Sequence, residues 1–285
     1  MAKIKVGILD NHLNNWHADT FLKLLRGPLA DREIEIVAAY ESDPVGEDWC
    51  ARNSVRRAGS PEEALDGVDA IMVLSPDNIE DHLAQCKIAL PYGKPTLVDK
   101  FLAPTLAEAQ EIASLAATHN TPIFTSSSLR FAAELDSLIY DIGDASVTES
   151  RFTGMGRWEI YGVHTLCMAL RVMGANVVRV VDTGTDTAHT VTLDYGNGAR
   201  CVLDVRSADD QYAQFPWTIA VRVGDAYFQR TVLDHDGFYH NLMKQTADFF
   251  ASGVSPIAIA ESIATVAVIE AGSRSFQQDS TWVTI

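Results

Sequence analysis

The order of apolar segments predicts an α/β fold for this chain of 285 residues: an N-terminal Rossmann-like domain with a doubly wound parallel sheet, then an α+β domain with an open, mostly antiparallel sheet. The first observation is that short apolar runs alternate with amphipathic segments up to about residue 125, which is typical of parallel strands joined by helices. The second is that later strand-like runs follow one another through turns such as Asn197-Gly198. We therefore expect domains at residues 1–124 and 125–285.

The N-terminal domain has the alternation of a nucleotide-binding sheet. Strands are expected at residues 3–9, 33–40, 69–75, 95–99 and 121–125. Helices are expected at residues 16–26, 61–66, 78–92 and 105–119. A strand, turn and helix at the start of such a domain usually hold phosphate at the helix N-terminus.

In the C-terminal domain, the expected strands follow one another and no longer alternate regularly with helices. Strands are expected at residues 145–153, 177–183, 188–195, 199–207, 216–224 and 226–233. Helices are expected at about residues 158–173, 238–252 and 257–275. The apolar alternation within the strands indicates an antiparallel sheet with one covered face.

Composition narrows the class of protein. A formal charge of −16 argues against nucleic acid and anionic membranes as partners, because both attract basic surfaces. The cysteines show no paired spacing, which indicates free thiols in a reducing compartment; they are Cys50, Cys86, Cys167 and Cys201. The sequence shows no signal-peptide pattern and no apolar stretch of about 20 residues. These features predict a soluble cytoplasmic protein.

Three local motifs occur at characteristic places along the chain. Residues 69–105 contain an apolar strand, Ser75-Pro76-Asp77, a helix, another strand and then Asp99-Lys100-Phe101-Leu102-Ala103. Residues 158–174 form an amphipathic segment with Gly162-Val163-His164, and residues 256–275 form a long final one. In this order the motifs resemble the Gfo/Idh/MocA family of glucose–fructose oxidoreductases and inositol dehydrogenases, whose lysine motif reads Glu-Lys-Pro-Leu-Ala and whose histidine helix reads Asp-x-Gly-x-His.

The resemblance implies hydride transfer between NAD(H) and a sugar, cyclitol or similar polyol, in which the reacting hydroxyl must also lose a proton. Lys100 would orient that hydroxyl and His164 would accept its proton. Without the resemblance, a lysine after a strand is usually a solvated turn residue, and a lone histidine is usually packed in an interface. The family's relay aspartate falls on Ile160, which cannot carry a proton. Glu159 could substitute only if the helix start is irregular, and Tyr161 is another candidate donor.

The family's glycine-rich turn is absent. Its glycines would fall on Asp10, His12 and Asn15, so the loop that also contains Asn11 is expected to cover the pyrophosphate in altered form. Asn and Asp tolerate left-handed dihedrals, and Asn14 or Asn15 can cap the next helix. A carboxylate about 4 Å from a phosphate costs roughly 4 kcal/mol at an effective dielectric near 20. The helix dipole returns only about 1 kcal/mol.

Other cofactor contacts follow from the resemblance. Glu41 ends the second expected strand, where an acid binds the adenosine ribose diol. No arginine follows it directly, so a 2′-phosphate would face Glu41 and Asp43, which predicts NAD rather than NADP. Ser75 and Pro76 would line the nicotinamide side, and Asp99 is a further expected cofactor contact.

The second domain would supply substrate contacts and the oligomer interface. Arg130 matches an arginine that could meet a substrate oxygen or an interface carboxylate, and Trp158 and Tyr161 would shape the pocket. Relatives cover the open sheet in dimers or tetramers, so a homodimer or homotetramer through this sheet is expected.

Other classes of function remain as alternatives. Loss of the glycines and of the relay aspartate would also suit a non-catalytic sensor or regulatory member that binds a sugar, a nucleotide or a protein. A lyase of the same fold with a tightly held cofactor is a third reading. The spacing of Asp10, His12 and His17 matches no metal-site template, so no metal is expected. Ser126-Ser127-Ser128 lacks the nucleophile elbow of a hydrolase.

Overall fold

The computed structural model describes residues 3–207 and 215–285, which form two compact units. Unit 1 runs to Ser126 and also contains Leu242–Ser262, whereas unit 2 contains Ser127–Asn241 and Ile263–Ile285. The chain first passes from unit 1 to unit 2 after Ser126, close to the boundary expected between residues 124 and 125. The return of residues 242–262 to unit 1 was not anticipated. The boundary of an independently folding domain stays a prediction.

Unit 1 is built on a six-stranded parallel sheet. Its strands are β1 (Ile4–Asp10), β2 (Ile34–Glu41), β3 (Arg56–Arg57), β4 (Ala70–Val73), β5 (Thr96–Val98) and β6 (Ile123–Phe124). They lie in the order β3-β2-β1-β4-β5-β6. The order reverses between β1 and β4, which is the crevice where doubly wound sheets bind dinucleotides. The predicted Rossmann-like fold is confirmed.

Most of the helices of unit 1 begin at a side-chain cap. They are α1 (Trp16–Arg26), α2 (Trp49–Asn53), α3 (Pro61–Leu65), α4 (His82–Ala89) and α5 (Leu106–Thr118). Asn15 caps α1 by accepting from the backbone N of Ala18, as the sequence allowed, and Thr105 caps α5 by accepting from Glu108 N. Each cap satisfies an amide that the helix itself leaves unpaired. Neither α2 nor β3 was predicted, because both are too short to show periodicity.

Unit 2 contains a seven-stranded sheet. Its strands are β7 (Glu149–Met155), β8 (Arg179–Asp182), β9 (Ala188–Asp194), β10 (Arg200–Arg206), β11 (Thr218–Val223), β12 (Ala226–Thr231) and β13 (Val283–Thr284). The order is β12-β11-β7-β10-β9-β8-β13. Only the pair of β7 and β10 is parallel among the pairings of these described strands. The predicted α+β domain with a mostly antiparallel sheet is confirmed.

The remaining helices are α6 (Ala133–Ile142), α7 (Trp158–Met173), α8 (His235–Ser252) and α9 (Ile259–Gln277). Helix α7 packs on β7 and β10, and its residues from Gly162 to Leu170 are buried. Helix α6 was not predicted, although Leu135 and Leu138 already had helical spacing. All four cysteines are buried free thiols. Within the described parts of the chain, no helix has the length and apolar character needed to cross a membrane.

Candidate active site

Side chains of the loop itself hold the turn between β1 and α1. The carboxylate of Asp10 is 1% exposed and accepts from Asn15 Nδ2 at 2.8 Å and from the backbone N of Ser75 at 3.0 Å. Asn15 Oδ1 accepts from Ala18 N at 2.9 Å, and its Nδ2 donates to the carbonyl of His12 at 2.6 Å. Residues 10–15 contain no positive φ angle. The loop therefore dispenses with glycine because its backbone never enters the left-handed region.

Burial changes the charge that Asp10 brings to this loop. It raises the pKa of the Asp10 carboxyl from 3.8 to about 7, even though hydrogen bonds from Asn15 and Ser75 act in the opposite direction. The neighbouring Asp99 carboxylate also raises it. Asp10 points into the unit and is partly protonated near neutral pH. The repulsion between Asp10 and a phosphate is therefore smaller than the sequence suggested.

Ser75 links the end of β4 to the same loop. Its φ angle is 45°, a left-handed conformation that is costly for a residue with a side chain. Three contacts hold it there: its N donates to Asp10, its Oγ accepts from Asn11 N at 2.9 Å, and Gln85 Nε2 donates to its Oγ at 2.8 Å. Ser75 thus lies beside the loop of residues 10–15, with its hydroxyl engaged in fixing Asn11.

Glu41 also holds the loop. Its Oε2 accepts from the backbone N of Leu13 at 2.8 Å, and its Oε1 lies 2.6 Å from Arg57 Nη1. Arg57 Nη2 in turn lies 2.8 Å from Asp48 Oδ1. The hydrogen bond to Asp48, followed by that to Glu41, outweighs desolvation and raises the pKa of Arg57. No arginine directly follows Glu41 in the sequence, so Arg57 was missed: it reaches Glu41 because β3 lies beside β2.

The end of β5 carries a buried charged group of residues. Asp99 and Lys100 are 4% and 5% exposed. Asp99 Oδ2 is hydrogen-bonded to His17 Nδ1, and its Oδ1 accepts from Lys100 N at 2.7 Å. Lys100 Nζ donates to the carbonyl of Pro76 at 3.1 Å. Burial opposes ionisation of Asp99, but His17 and the Lys100 ammonium outweigh it and lower the pKa of this carboxyl.

His82 fixes the two turns that flank this group. The ring is fully buried, with Nε2 2.7 Å from the carbonyl O of Leu74 and Nδ1 3.1 Å from that of Phe101. Leu74 precedes Ser75, and Phe101 follows Lys100 through a cis peptide bond. His82 is therefore a residue that shapes the backbone around Ser75 and Lys100.

His164 lies on α7 of unit 2 and is 7% exposed. Its Nδ1 is 2.7 Å from the hydroxyl of Ser127, and the ring of Tyr161 is centred 5.5 Å from its own. Helix α7 is regular from Trp158 onward, and Glu159 is exposed in its first turn. The condition under which Glu159 could replace the relay aspartate is therefore not met. Ser127 was missed because no spacing rule connects it to His164.

The two other residues expected to contact substrate, Arg130 and Trp158, have partners within unit 2. Arg130 Nη1 lies 3.5 Å from the carbonyl of Cys167, and the carbonyl of Arg130 accepts from Arg171. Trp158 is fully buried, and its Nε1 donates to Ile269 O at 3.0 Å. A Cβ added at Gly162 would lie 2.6 Å from the Trp158 ring. The expectation that Trp158 lines the substrate pocket is therefore corrected: its ring belongs to the core.

The side chains considered for a metal site have other partners. His12 Nδ1 lies 3.0 Å from Asn11 Oδ1, and His17 is paired with Asp99. Within residues 3–207 and 215–285, no group of three or more His, Cys, Asp or Glu side chains is arranged to hold a metal ion. The structure thus gives no support to the metal-site alternative at Asp10, His12 and His17.

Comparison with known proteins extends the fold assignment. Residues 6–126 match the model of the oxidoreductase family with an NAD-binding Rossmann fold, Gfo/Idh/MocA. A search of curated proteins found no match to the sequence.

Several solved structures share the fold over the whole chain. GenD2 from gentamicin A biosynthesis, crystallised with NAD, is 15% identical with a TM-score of 0.83, over 100% of this chain and 97% of that one. An NAD-binding oxidoreductase from Klebsiella pneumoniae is 15% identical with a TM-score of 0.81, over 100% and 99%. Myo-inositol 2-dehydrogenase from Lactobacillus plantarum is 14% identical with a TM-score of 0.82, over 99% of each chain. Likeness at these identities establishes the fold.

Proposed function

We propose that this chain, whose residues 6–126 match the Gfo/Idh/MocA oxidoreductase family with its NAD-binding Rossmann fold, is an NAD-dependent dehydrogenase of a sugar, cyclitol or similar polyol. The observation that carries the proposal is the buried Lys100 at the carboxyl end of β5, with its ammonium held on Pro76 O. Ligands of doubly wound sheets bind outside the carboxyl ends of the strands. A lysine buried at that edge is placed to meet a ligand.

The residues of unit 1 fit a dinucleotide. Asn11 and His12 present half-buried side chains without negative charge, and the Asp10 carboxyl is turned inward. The start of α1 provides the partial positive charge that favours a pyrophosphate. Glu41 retains acceptor capacity for a ribose hydroxyl, because each carboxylate oxygen has two lone pairs. Ser75, Pro76 and Asp99 would complete the cofactor contacts.

When bound, NAD supplies the acceptor for a hydride leaving the carbinol carbon. Lys100 would donate a hydrogen bond to the carbinol oxygen and stabilise the negative charge that develops on it. The buried Asp99 carboxylate compensates the charge of the Lys100 ammonium in the absence of substrate. His164 would accept the hydroxyl proton. Arg130 and Tyr161 would contact the other substrate oxygens.

Ligand-induced stabilisation tests the cofactor assignment. NAD at millimolar concentration should raise the melting temperature, by the mass-action stabilisation of a ligand that binds only the folded protein. NADP should do so less. If neither nucleotide shifts the melting temperature, the dehydrogenase proposal fails and the non-catalytic alternative takes its place.

The lysine is tested by a matched pair of variants. Lys100→Met should abolish turnover of polyols and preserve the shift caused by NAD. Lys87→Met is the control, because Lys87 is an exposed residue paired with Glu111 at 2.8 Å, and such surface pairs contribute little. Loss of the NAD shift in Lys100→Met would assign Lys100 to cofactor binding instead.

We also propose a homodimer or homotetramer through the sheet of unit 2. Ala220, Arg151, Val202 and Thr192 lie in register across β11, β7, β10 and β9, and each is exposed or half-buried, whereas the residues next to them along each strand are buried. Light scattering after size-exclusion chromatography would measure the mass. Val202→Glu should reduce it to that of a monomer, because the substitution would bury a carboxylate in the interface.

A further inference from the structure

We propose that Trp217 and Thr165 together bind a second hydroxyl group of the polyol substrate, besides the reacting hydroxyl assigned to Lys100 and His164. The inference rests on the proposed function, because it names a further subsite of the same active site. It starts from two buried polar atoms of unit 2 that make no hydrogen bond, the indole Nε1 of Trp217 and the hydroxyl of Thr165.

The two polar atoms meet at Gly154, near the end of β7. A Cβ added at Gly154 would lie 1.9 Å from Thr165 Oγ1 and 3.1 Å from Trp217 Nε1. A side chain at this position would displace both groups, so the glycine is what lets them approach the strand and each other. Thr165 directly follows His164 on α7. The pair is therefore beside the proposed proton acceptor.

Both atoms lack a partner although they are covered by protein. Thr165 is fully buried, and Trp217 is half-buried with its Nε1 covered. Within the described parts of the chain, neither atom has a hydrogen-bond partner. Thr246 shows the usual arrangement of a buried helical threonine, because its Oγ1 donates to Leu242 O at 3.0 Å. An unpaired buried polar group destabilises a fold, so the pair calls for an explanation.

Packing fixes the indole without using its N–H. The ring of Trp217 stands nearly perpendicular to those of His235 and Phe238, at 5.6 and 6.1 Å between centroids. Both partners lie in the first turn of α8. A phenylalanine could make similar edge contacts and would bring no unpaired donor. The N–H therefore adds nothing to the packing, and departures of this kind from full pairing are expected at functional sites.

The chemistry of the two atoms selects the ligand group. An indole N–H can only donate, whereas a threonine hydroxyl can donate and accept. One ligand hydroxyl can accept from Nε1–H and donate to Thr165 Oγ1, so a single oxygen would pair both. An ammonium group has no lone pair for the indole. Because Nε1 is covered, the indole must turn slightly to meet the ligand, and a polyol should change the fluorescence of Trp217.

Thermal unfolding tests whether the Thr165 hydroxyl lacks a structural role. Thr165→Ser and Thr165→Ala differ by that hydroxyl alone. Thr246→Ser and Thr246→Ala are the matched control pair, since Thr246 is equally buried in a helix and is hydrogen-bonded. The gain in melting temperature from serine over alanine should be about 2 to 4 °C larger at position 246 than at position 165. An equal gain at both positions overturns the proposal.

Steady-state kinetics with NAD tests the substrate contact, with myo-inositol, D-glucose and D-glucitol as probes. For a polyol that the parent oxidises, Trp217→Phe and Thr165→Ala should each raise KM about 3- to 10-fold and leave kcat nearly unchanged, as expected for one lost hydrogen bond. Thr165→Ser should keep the parent KM. Trp282→Phe is the control for the indole, because Trp282 is 42% exposed and packs against Arg179.

Deoxy derivatives of the same polyol identify the hydroxyl. The derivative that lacks the bound hydroxyl should have the same KM in the parent and in Trp217→Phe, because the two changes remove one interaction. Its addition should also leave the fluorescence difference between these two proteins unchanged. A KM in Trp217→Phe equal to that of the parent for the full polyol overturns the proposal.

The two proposals fail in different ways. If none of the three polyols is oxidised or raises the melting temperature of the parent with NAD, the proposed dehydrogenase function fails and the subsite fails with it. If a polyol is oxidised with the same KM by the parent and by Trp217→Phe, only the role of Trp217 and Thr165 is overturned.

Discussion

His17 and Asp99 form a buried hydrogen-bonded pair that joins the first turn of α1 to the end of β5. Their side chains are 9% and 3% exposed. Asp99 directly precedes Lys100, and the charge of the Lys100 ammonium helps to lower the pKa of the Asp99 carboxyl. The pair thus connects the helix that follows the loop of residues 10–15 with the strand that presents the proposed catalytic lysine.

Removing His17 should leave a buried carboxylate without its main partner. We expect His17→Ala to lower the free energy of unfolding by about 3 kcal/mol at pH 7, the usual cost of breaking a buried charged pair on one side. His17→Gln, which keeps a donor, should cost less than half as much. Urea denaturation measures both. Equal losses in the two variants would mean that packing, not the bond to Asp99, explains the effect.

Lowering the pH should reduce the difference in free energy of unfolding between the parent protein and His17→Ala. The pKa of Asp99 is lowered, so its stabilising contribution is present above the ordinary value of 3.8 and is lost as the pH falls through the lower folded-state value. The penalty of His17→Ala should therefore shrink below about pH 4. A penalty that stays constant down to pH 3 would contradict the assignment.

Asp10 should give the opposite pH dependence. Its pKa is raised from 3.8 to about 7, so its favourable contribution is complete below 3.8 and is lost as the pH rises through 7. Between pH 5 and 8, the stability of the parent should fall relative to Asp10→Asn by up to about 1.4 kcal/mol per pH unit. Urea unfolding across this range measures the slope. Parallel curves for the two proteins would exclude Asp10 as the titrating group.

The same carboxyl should make NAD binding depend on pH. NAD should bind up to about 10-fold more tightly at pH 6 than at pH 8, because the phosphates meet less charge when Asp10 is protonated. Calorimetric titration of Asp10→Asn provides the comparison, and its affinity should be nearly the same at both values. A pH dependence that survives in Asp10→Asn would have to come from another group.

Arg57 should control discrimination against NADP. Two carboxylates, Glu41 at 2.6 Å and Asp48 at 2.8 Å, occupy its guanidinium. Replacing both, as Glu41→Ser with Asp48→Ser, should release Arg57 for a 2′-phosphate and raise NADP affinity about 10-fold or more, since an arginine binds phosphate strongly when unpaired. Adding Arg57→Ala should cancel the gain. If Arg57→Ala leaves the NADP affinity of the double variant unchanged, the adenosine ribose lies elsewhere.

Much of the fold followed from the sequence because it depends on periodicity and caps. The strands β1, β2 and β4 and the helices α1, α5 and α7 occur close to the expected residues, and Asn15 caps α1 as the sequence allowed. These are local properties, so a single sequence records them.

The parts of the candidate site that escaped prediction are non-local. Ser127 meets His164 across 37 positions, and Arg57 meets Glu41 only because a strand of two residues lies beside β2. Trp158 was assigned to a pocket because it begins the histidine helix, whereas its ring fills the space left by Gly162 and Gly272. Such neighbours depend on tertiary packing, which spacing does not encode.

The return of residues 242–262 to unit 1 affects how the protein is made. Phe249 packs edge-on against Phe124 at 5.8 Å between centroids, and Asp248 lies 2.7 Å from Arg32. During synthesis, the ribosome finishes the N-terminal sheet long before it produces these partners. A nascent chain ending at Ser126 therefore lacks the contact between Phe124 and Phe249 until most of unit 2 has been translated. Cutting the gene after that residue would give an aggregation-prone fragment, whereas appending residues 242–262 to it should restore a soluble one.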